Sequence, residues 1–170
     1  MRIFICENLG RILKNKKKLE EELNIKITNK GREISINGKP EEEYIAEKII
    51  ESLDLGFQYK TAILIKEEDF IFEILNIKDY TKRNDLERVR ARIIGKGGKT
   101  KKTLTQLTEC DIELRGNKIG IIGPSTSIEN AQEALISLIR GTKQSNVYAY
   151  LEKHRAEPIF DLGLKEAKKK

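Results

Sequence analysis

The chain has 170 residues, of which 38% are hydrophobic, and it carries a formal net charge of +6 at pH 7. No apolar run approaches the roughly 20 residues of a membrane span, so we expect a cytoplasmic protein without a membrane segment or signal peptide. Cys6, Cys110 and the single His154 lack the spacing of a metal site or of a nucleophile with its base, so we predict no enzyme, no metal and no cofactor.

The first half of the chain contains short apolar segments of strand and helix period. Strands are predicted where apolar residues alternate, and helices where they recur every three or four positions. The expected elements are a strand from Arg2 to Cys6, a helix ending near Leu13, a helix around Leu19 to Leu23, strands at Ile25 to Thr28 and Glu33 to Asn37, and a helix from Glu41 to Leu53.

A second set of elements follows a linking helix predicted between Gly56 and Asp69. A closing helix from Asn146 to Ala156 has a length that allows it to pack across both halves, and Lys165 to Lys170 should form a disordered basic tail. Further elements are expected between the linking helix and the closing helix. They are a strand from Phe70 to Ile77, a helix through Leu86, Val89 and Ile93, a helix with Leu104 and Leu107, a hairpin of Asp111–Leu114 and Ile119–Ile122, and a helix from Ser127 to Arg140.

Glycines and lysines fill the loop between the first two helices of the second half. Gly98-Lys-Thr100 matches the end of a nucleotide-binding P-loop, but the first glycine of that motif would fall on Ile93, and a helix precedes the loop instead of a strand. The P-loop is therefore excluded. The remaining motif, Gly95-Lys-Gly-Gly98, is typical either of a glycine that ends a helix before a solvated basic helix or of a loop that binds a nucleic-acid backbone.

The distribution of charge favours a loop that binds a nucleic-acid backbone. Residues 1–80 carry 14 Lys and Arg against 16 Asp and Glu, a net of −2, whereas residues 81–170 carry 19 against 11, a net of +8. Such an asymmetry beside a glycine loop indicates a polyanionic partner. The basic residues cluster between positions 82 and 102: Lys82, Arg83, Arg88, Arg90, Arg92, Lys96, Lys99, Lys101 and Lys102.

An internal repeat relates the two halves. A shift of 85 positions superposes Ile34 on Ile119 and Gly38 on Gly123, among other pairs. The first copy has Lys14-Asn-Lys-Lys-Lys18 in place of the glycine loop, and without glycine the backbone loses close approach to a phosphate. We therefore expect the first copy to pack against the second, or to bind a protein, more than it clamps RNA.

The order strand, helix, glycine loop, helix, strand, strand, helix around Ile93-Ile-Gly-Lys-Gly-Gly-Lys-Thr100 resembles a type I KH domain. The resemblance implies an α+β fold with two tandem KH-like modules (βααββα), the first with a degenerate loop. The predicted divisions are residues 1–55 for the first module, 56–69 for the linking helix, 70–142 for the second module, and 143–170 for the C-terminal helix and tail.

In KH domains the glycine loop clamps the backbone of about four unpaired nucleotides and an apolar groove takes the bases. By this resemblance Gly95 to Gly98 would hold the phosphates, and Ile94, Leu104, Ile112 and Leu114 are candidates for the groove. The predicted RNA-binding residues are Arg90, Arg92, Ile94, Gly95, Lys96, Gly97, Gly98, Lys99, Lys101, Lys102 and Leu114.

The whole pattern is similar to the archaeal double-KH small-subunit assembly factors, which are related to the eukaryotic partner-of-Nob proteins. It includes Leu55-Gly-Phe57, Ile77-Lys-Asp-Tyr80, the glycine loop and Arg140-Gly141. The resemblance implies binding of single-stranded RNA at the 3′ end of (pre-)16S rRNA, near the site trimmed by the Nob endonuclease. It also implies an association with the alpha subunit of translation initiation factor two, and we expect a monomer.

Two other functions use the same fold. One is a protein-interaction scaffold whose KH modules have lost RNA binding, which the intact Gly95-Lys-Gly-Gly98 disfavours. The other is an adaptor for RNA degradation, but such adaptors usually carry an additional S1-like barrel, for which this length leaves no room.

Overall fold

A computed structural model describes residues 1–155. The predicted tail from Lys165 to Lys170, and the last residue of the predicted closing helix, Ala156, lie outside the described residues. Within residues 1–155 the chain forms two three-stranded antiparallel sheets with helices packed on them, which confirms the predicted α+β class. No helix in this part of the chain is long and apolar enough to cross a membrane.

The first half folds in the predicted order. Its sheet has the strand order β1-β3-β2, so β1 and β2 lie at the edges. Isoleucines and leucines of period two in the strands and three to four in the helices meet in one buried core, which includes Ile12, Leu19, Ile34 and Ile50. The elements are β1 (Arg2–Ile5), α1 (Leu9–Lys14), α2 (Lys16–Leu23), β2 (Lys26–Lys30), β3 (Glu33–Asn37) and α3 (Pro40–Leu55).

The linking segment forms two short helices where the sequence predicted one. The α-helix α4 spans Tyr59–Ala62, and a 3-10 helix spans Ile63–Lys66. The chain stays non-helical through Gly56 and Gln58, which places the Phe57 ring in a buried position. Burial of this ring therefore takes up the first residues of the predicted helix.

The second half repeats the order around a second core. Its sheet has the order β4-β6-β5, so β5 is an edge strand. Helix α8 joins this core through Val147 and Leu151 and contacts α6 and α7. The elements are β4 (Phe70–Asn76), α5 (Leu86–Ile94), α6 (Lys99–Thr108), β5 (Asp111–Arg115), β6 (Lys118–Pro124), α7 (Ile128–Ile139) and α8 (Gln144–Lys153), with 3-10 helices at Ile77–Asp79 and Lys96–Gly98.

A small apolar cluster joins the two halves. It contains Leu55 and Phe57 from the end of α3 and the linker, and Phe72 and Ile122 from the second sheet. The rings of Phe57 and Phe72 meet edge to face with their centroids 6.1 Å apart. Gly120 of β6 lies directly beneath this apolar cluster, because a Cβ there would lie 2.8 Å from Phe57 Cε2 and 3.0 Å from Leu55 Cδ2. The absence of a side chain at this position allows the linker to lie against the sheet.

Arginines reinforce this contact. Arg115, at the end of β5, lies 3.3 Å from Glu7 Oε2 and donates to the carbonyl of Asp54 at 3.3 Å. Arg11 of α1 donates to the carbonyls of Gly56 and Phe57 at 3.1 and 3.0 Å. The edge strand β5 and the linker are thereby tied to the first half.

We expect Gly120→Ala to lower the free energy of unfolding by about 1–3 kcal/mol, because the added methyl group overpacks the floor of the apolar cluster. Gly10→Ala is the matched control, since no atom lies within 4 Å of a Cβ at Gly10 within α1, and it should stabilise the chain by less than about 1 kcal/mol. Urea denaturation followed by circular dichroism measures both. Equal effects of the two substitutions would contradict the described packing of the two halves.

Candidate nucleic-acid interface

Helices α5 and α6 meet at the glycine loop with very little space between them. A Cβ on Gly95 would lie 2.6 Å from both the backbone nitrogen and the Cβ of Thr100, and Gly95 has a φ of 78°. Gly97 also has a positive φ, of 63°, but nothing lies within 4 Å of its Cβ position. Gly95 is therefore needed for the approach of the two helices, and Gly97 for the turn of the exposed loop.

The backbone amides of this loop divide into two sets. The N–H groups of Gly98 and Lys99 donate to the carbonyls of Gly95 and Lys96 and so close the turn. Those of Lys96 and Gly97 find no backbone acceptor within the described part of the chain. Helix α6 begins at Lys99, directly after the loop, and its N-terminus adds a partial positive charge. The loop can therefore offer two free donors and a helix dipole to an anion.

Three lysines surround these donors. Lys96, Lys99 and Lys102 are exposed, and none forms an ion pair with any residue in 1–155. Each is free to turn its ammonium group towards a bound polyanion, which is how lysine supplies phosphate contacts.

A groove of about 430 Å³ starts at the loop and runs between α6 and the edge strand β5. Two of the predicted groove residues, Ile94, which is 38% exposed, and the half-buried Leu114, lie on its lining, and their contact with bases stays a prediction. Leu104 does not line the groove, because the helical period turns its side chain into the core, where it is fully buried. The lining consists of Ile94, Gly98, Lys101, Lys102, Thr105, Asp111, Ile112, Glu113 and Leu114.

An ion pair joins the two walls of the groove. Lys101 Nζ of α6 lies 3.3 Å from Glu113 Oε2 of β5. Lys101 was predicted as a basic contact, but Glu113 was not included among the site residues. Its alternation with the buried Ile112 on a strand beside the glycine loop is the signal that could have identified it.

Two predicted arginines lie elsewhere. Arg92 donates to the carbonyls of Leu138 and Thr142 at 2.6 and 2.5 Å, so its guanidinium caps the C-terminus of α7 and is not available to RNA. Arg90 donates to Asn117 Oδ1 at 3.2 Å, in the turn between β5 and β6. Charge density along the chain does not distinguish a helix cap such as Arg92 from a free cation, and RNA contact by Arg90 stays a prediction.

The corresponding loop in the first half is closed. Asn15, between α1 and α2, has a φ of −104°, and its N–H donates to the carbonyl of Ile12. Its side-chain amide donates to the carbonyl of Arg11 at 2.9 Å. This turn keeps the charges of Lys14 and Lys16 but presents no glycine amide to a ligand.

The described residues show little that could support covalent chemistry. Burial, assisted by Asp54, raises the pKa of the Cys6 thiol to about 12, and burial raises that of Cys110 to about 11, so both stay protonated at neutral pH. Within residues 1–155 no group of three or more His, Cys, Asp or Glu is placed to hold a metal ion. His154 is exposed and stacks on the ring of Tyr150 at a centroid distance of 4.3 Å.

Sequence comparison matches the second half of the chain to a known domain family. The model of the second KH domain of PNO1, described as a eukaryotic type KH-domain (KH-domain type I), matches residues 71–156. A KH domain-containing protein of Methanocaldococcus jannaschii is 28% identical over 82% of this chain and 65% of its own length. The RNA-binding protein pno1 of Drosophila melanogaster is 34% identical over 76% of this chain and 57% of its own. The chain thus spans between half and two thirds of these curated relatives.

Solved structures share the fold over most of the chain. Dim2p from Pyrococcus horikoshii superposes with a TM-score of 0.83 at 27% identity, covering 89% of this chain and 98% of that one. A chain in the crystal structure of the a/eIF2alpha–aDim2p–rRNA complex from the same archaeon also has a TM-score of 0.83 and 27% identity, covering 91% of this chain and 93% of its own. Since the matched residues 71–156 make up half of the 170, the chain belongs to the PNO1 family of type I KH-domain proteins.

Proposed function

We propose that this chain binds single-stranded RNA at the 3′ end of (pre-)16S rRNA through its second KH module, and that it acts without catalysis in assembly of the small ribosomal subunit. The observation that carries the proposal is the loop Gly95–Gly98, which leaves the amides of Lys96 and Gly97 free beside three unpaired lysines. Relatives named as pre-rRNA-processing proteins, and a structural neighbour crystallised with rRNA, support the choice of ribosomal RNA.

The mechanism is binding in two parts. The free amides and the dipole of α6 hold the sugar-phosphate backbone at the loop, and Lys96, Lys99 and Lys102 neutralise phosphates. Unpaired bases then enter the groove between α6 and β5, where Ile94 and Leu114 supply apolar contacts. The phosphate contacts determine the affinity for RNA, and the groove determines which bases are bound.

The partners follow from the same proposal. We place the chain in the cytoplasm as a monomer, near a Nob-type endonuclease that trims the RNA it holds. The alpha subunit of translation initiation factor two is a second proposed partner, supported by the neighbour crystallised with a/eIF2alpha. The closed loop of the first module supports a role in packing or protein contact rather than as a second RNA clamp.

Replacement of Lys96 and Gly97 by Asp should reduce RNA affinity by on the order of 100-fold, because it removes the Lys96 ammonium and places two carboxylates against phosphate. The fold should persist, since nothing lies within 4 Å of a Cβ at Gly97 and Asp is among the few residues that adopt its positive φ of 63° at a small cost. Fluorescence anisotropy with a labelled ribosomal 3′-end oligonucleotide measures the loss, and circular dichroism checks the fold.

A charge-matched control lies in the first module. Lys14→Asp combined with Lys16→Asn changes the net charge by the same three units and should change affinity much less. Unchanged affinity of the Lys96/Gly97 variant would refute the assignment of the site. A comparable loss in the control would mean that the first module also clamps RNA.

Salt dependence distinguishes RNA binding from a protein-interaction scaffold. If three to five phosphates are neutralised, log K should fall with log salt at a slope of about −2 to −4, using ~0.7 per phosphate for a single strand. The same anisotropy titration at several salt concentrations gives the slope. A slope near zero would argue for a scaffold whose contacts are apolar.

A further inference from the structure

One carboxylate in the groove is not explained by attraction to phosphate. Glu113 lies in the middle of β5, with its side chain 36% exposed and its Oε2 atom 3.3 Å from Lys101 Nζ. A negative charge here opposes the loop lysines, since it weakens the attraction of this surface for any polyanion. The carboxylate must therefore serve something other than general affinity.

The position of Glu113 is set from both halves of the molecule. It pairs with Gly120 across the sheet, and a Cβ on Gly56 of the linker would lie 3.9 Å from its Oε1 atom. Two residues further on, Arg115 ties the same strand to Glu7. Within residues 1–155 Oε1 accepts no hydrogen bond, whereas Oε2 is engaged by Lys101. Oε1 thus lies beside the linker without a hydrogen-bond donor, and Oε2 lies beside Lys101 at the groove, so a base that uses both oxygens must turn the carboxylate away from Lys101.

We propose that Glu113 is the base-selecting residue of the groove and that it favours guanine, an inference that rests on the proposed RNA binding. Guanine carries two adjacent donors, N1–H and N2–H, on its Watson–Crick edge, and these match the two oxygens of a carboxylate. An ion pair between side chains that are about one third exposed is weak, so an incoming base can replace Lys101. Lys101 then turns to the adjoining phosphate.

The other bases fit this acceptor less well. Adenine and cytosine each present one amino donor beside a ring nitrogen that is itself an acceptor, and uracil presents one N–H between two carbonyls. An acceptor placed against the carboxylate repels it. Glu113 therefore rejects these bases as well as attracting guanine, which is how specificity is commonly obtained.

Selection from a random single-stranded RNA pool tests the proposal. The unchanged protein should enrich guanine at one position, and Glu113→Gln should lose this preference and gain adenine, since a side-chain amide pairs with adenine through one donor and one acceptor. Glu73→Gln is the matched control, because Glu73 is an exposed glutamate on β4, the other edge strand of the same sheet, does not line the groove and forms no ion pair with the described residues. It should keep the guanine preference, and circular dichroism should show all three proteins folded.

A modified oligonucleotide gives the quantitative test. Replacing the selected guanine by inosine removes only the N2 amino group, and this should weaken binding to the unchanged protein by about tenfold but leave Glu113→Gln unaffected. If the unchanged protein binds no RNA, the proposed function fails and this inference with it. If it binds but Glu113→Gln keeps the guanine preference, or Glu73→Gln loses it equally, the inference alone is overturned.

Discussion

The approach of α5 to α6 across Gly95 is the constraint on which the binding surface depends. Any side chain at this position would collide with Thr100, whose own side chain is buried, so neither helix could move aside without disturbing the core. The close approach starts α6 directly after the loop and opens the groove at the N-terminal end of that helix. The dipole, the free amides and the apolar lining thereby lie together at one end of the groove, where the proposed function puts a short stretch of RNA backbone.

A second glycine, Gly120, governs how the first half supports this surface. Because Gly120 has no side chain, Leu55 and Phe57 can cover the outer face of the second sheet. Arg115 extends this contact to the end of β5. An edge strand paired on one side only would otherwise have freedom to shift, and β5 forms one wall of the groove. In the proposed function the first half therefore supports RNA binding through the rigidity of that wall, even though its own loop is closed.

Apolar periodicity was sufficient to predict the order of elements in both halves, because each half buries one face of its sheet and one stripe of each helix. The exposure of the loop lysines was also predictable, since a lysine next to glycine at a helix start is usually solvated. The contacts of Arg92 and Glu113 could not be predicted from the sequence, and the reason is the same for both. Their roles depend on carbonyls of α7 and on a lysine of α6 that come near them only in the folded chain, and neither contact leaves a periodic trace in the sequence.

The two loops are both rich in lysine, but they differ in the backbone N–H groups that they offer to an anion. The first loop, Lys14–Lys18, contains four lysines, yet Asn15 uses its own amide and its side chain to close the turn, so neither donor of Asn15 is available to a phosphate. Lysines alone supply a diffuse attraction that salt screens and that carries no direction. Direction comes from backbone amides held at a fixed position, which only a glycine turn leaves open to the ligand. The first loop, which lacks glycine, therefore keeps an attraction for anions without a means of orienting them, and this agrees with the proposed role of the first module in packing.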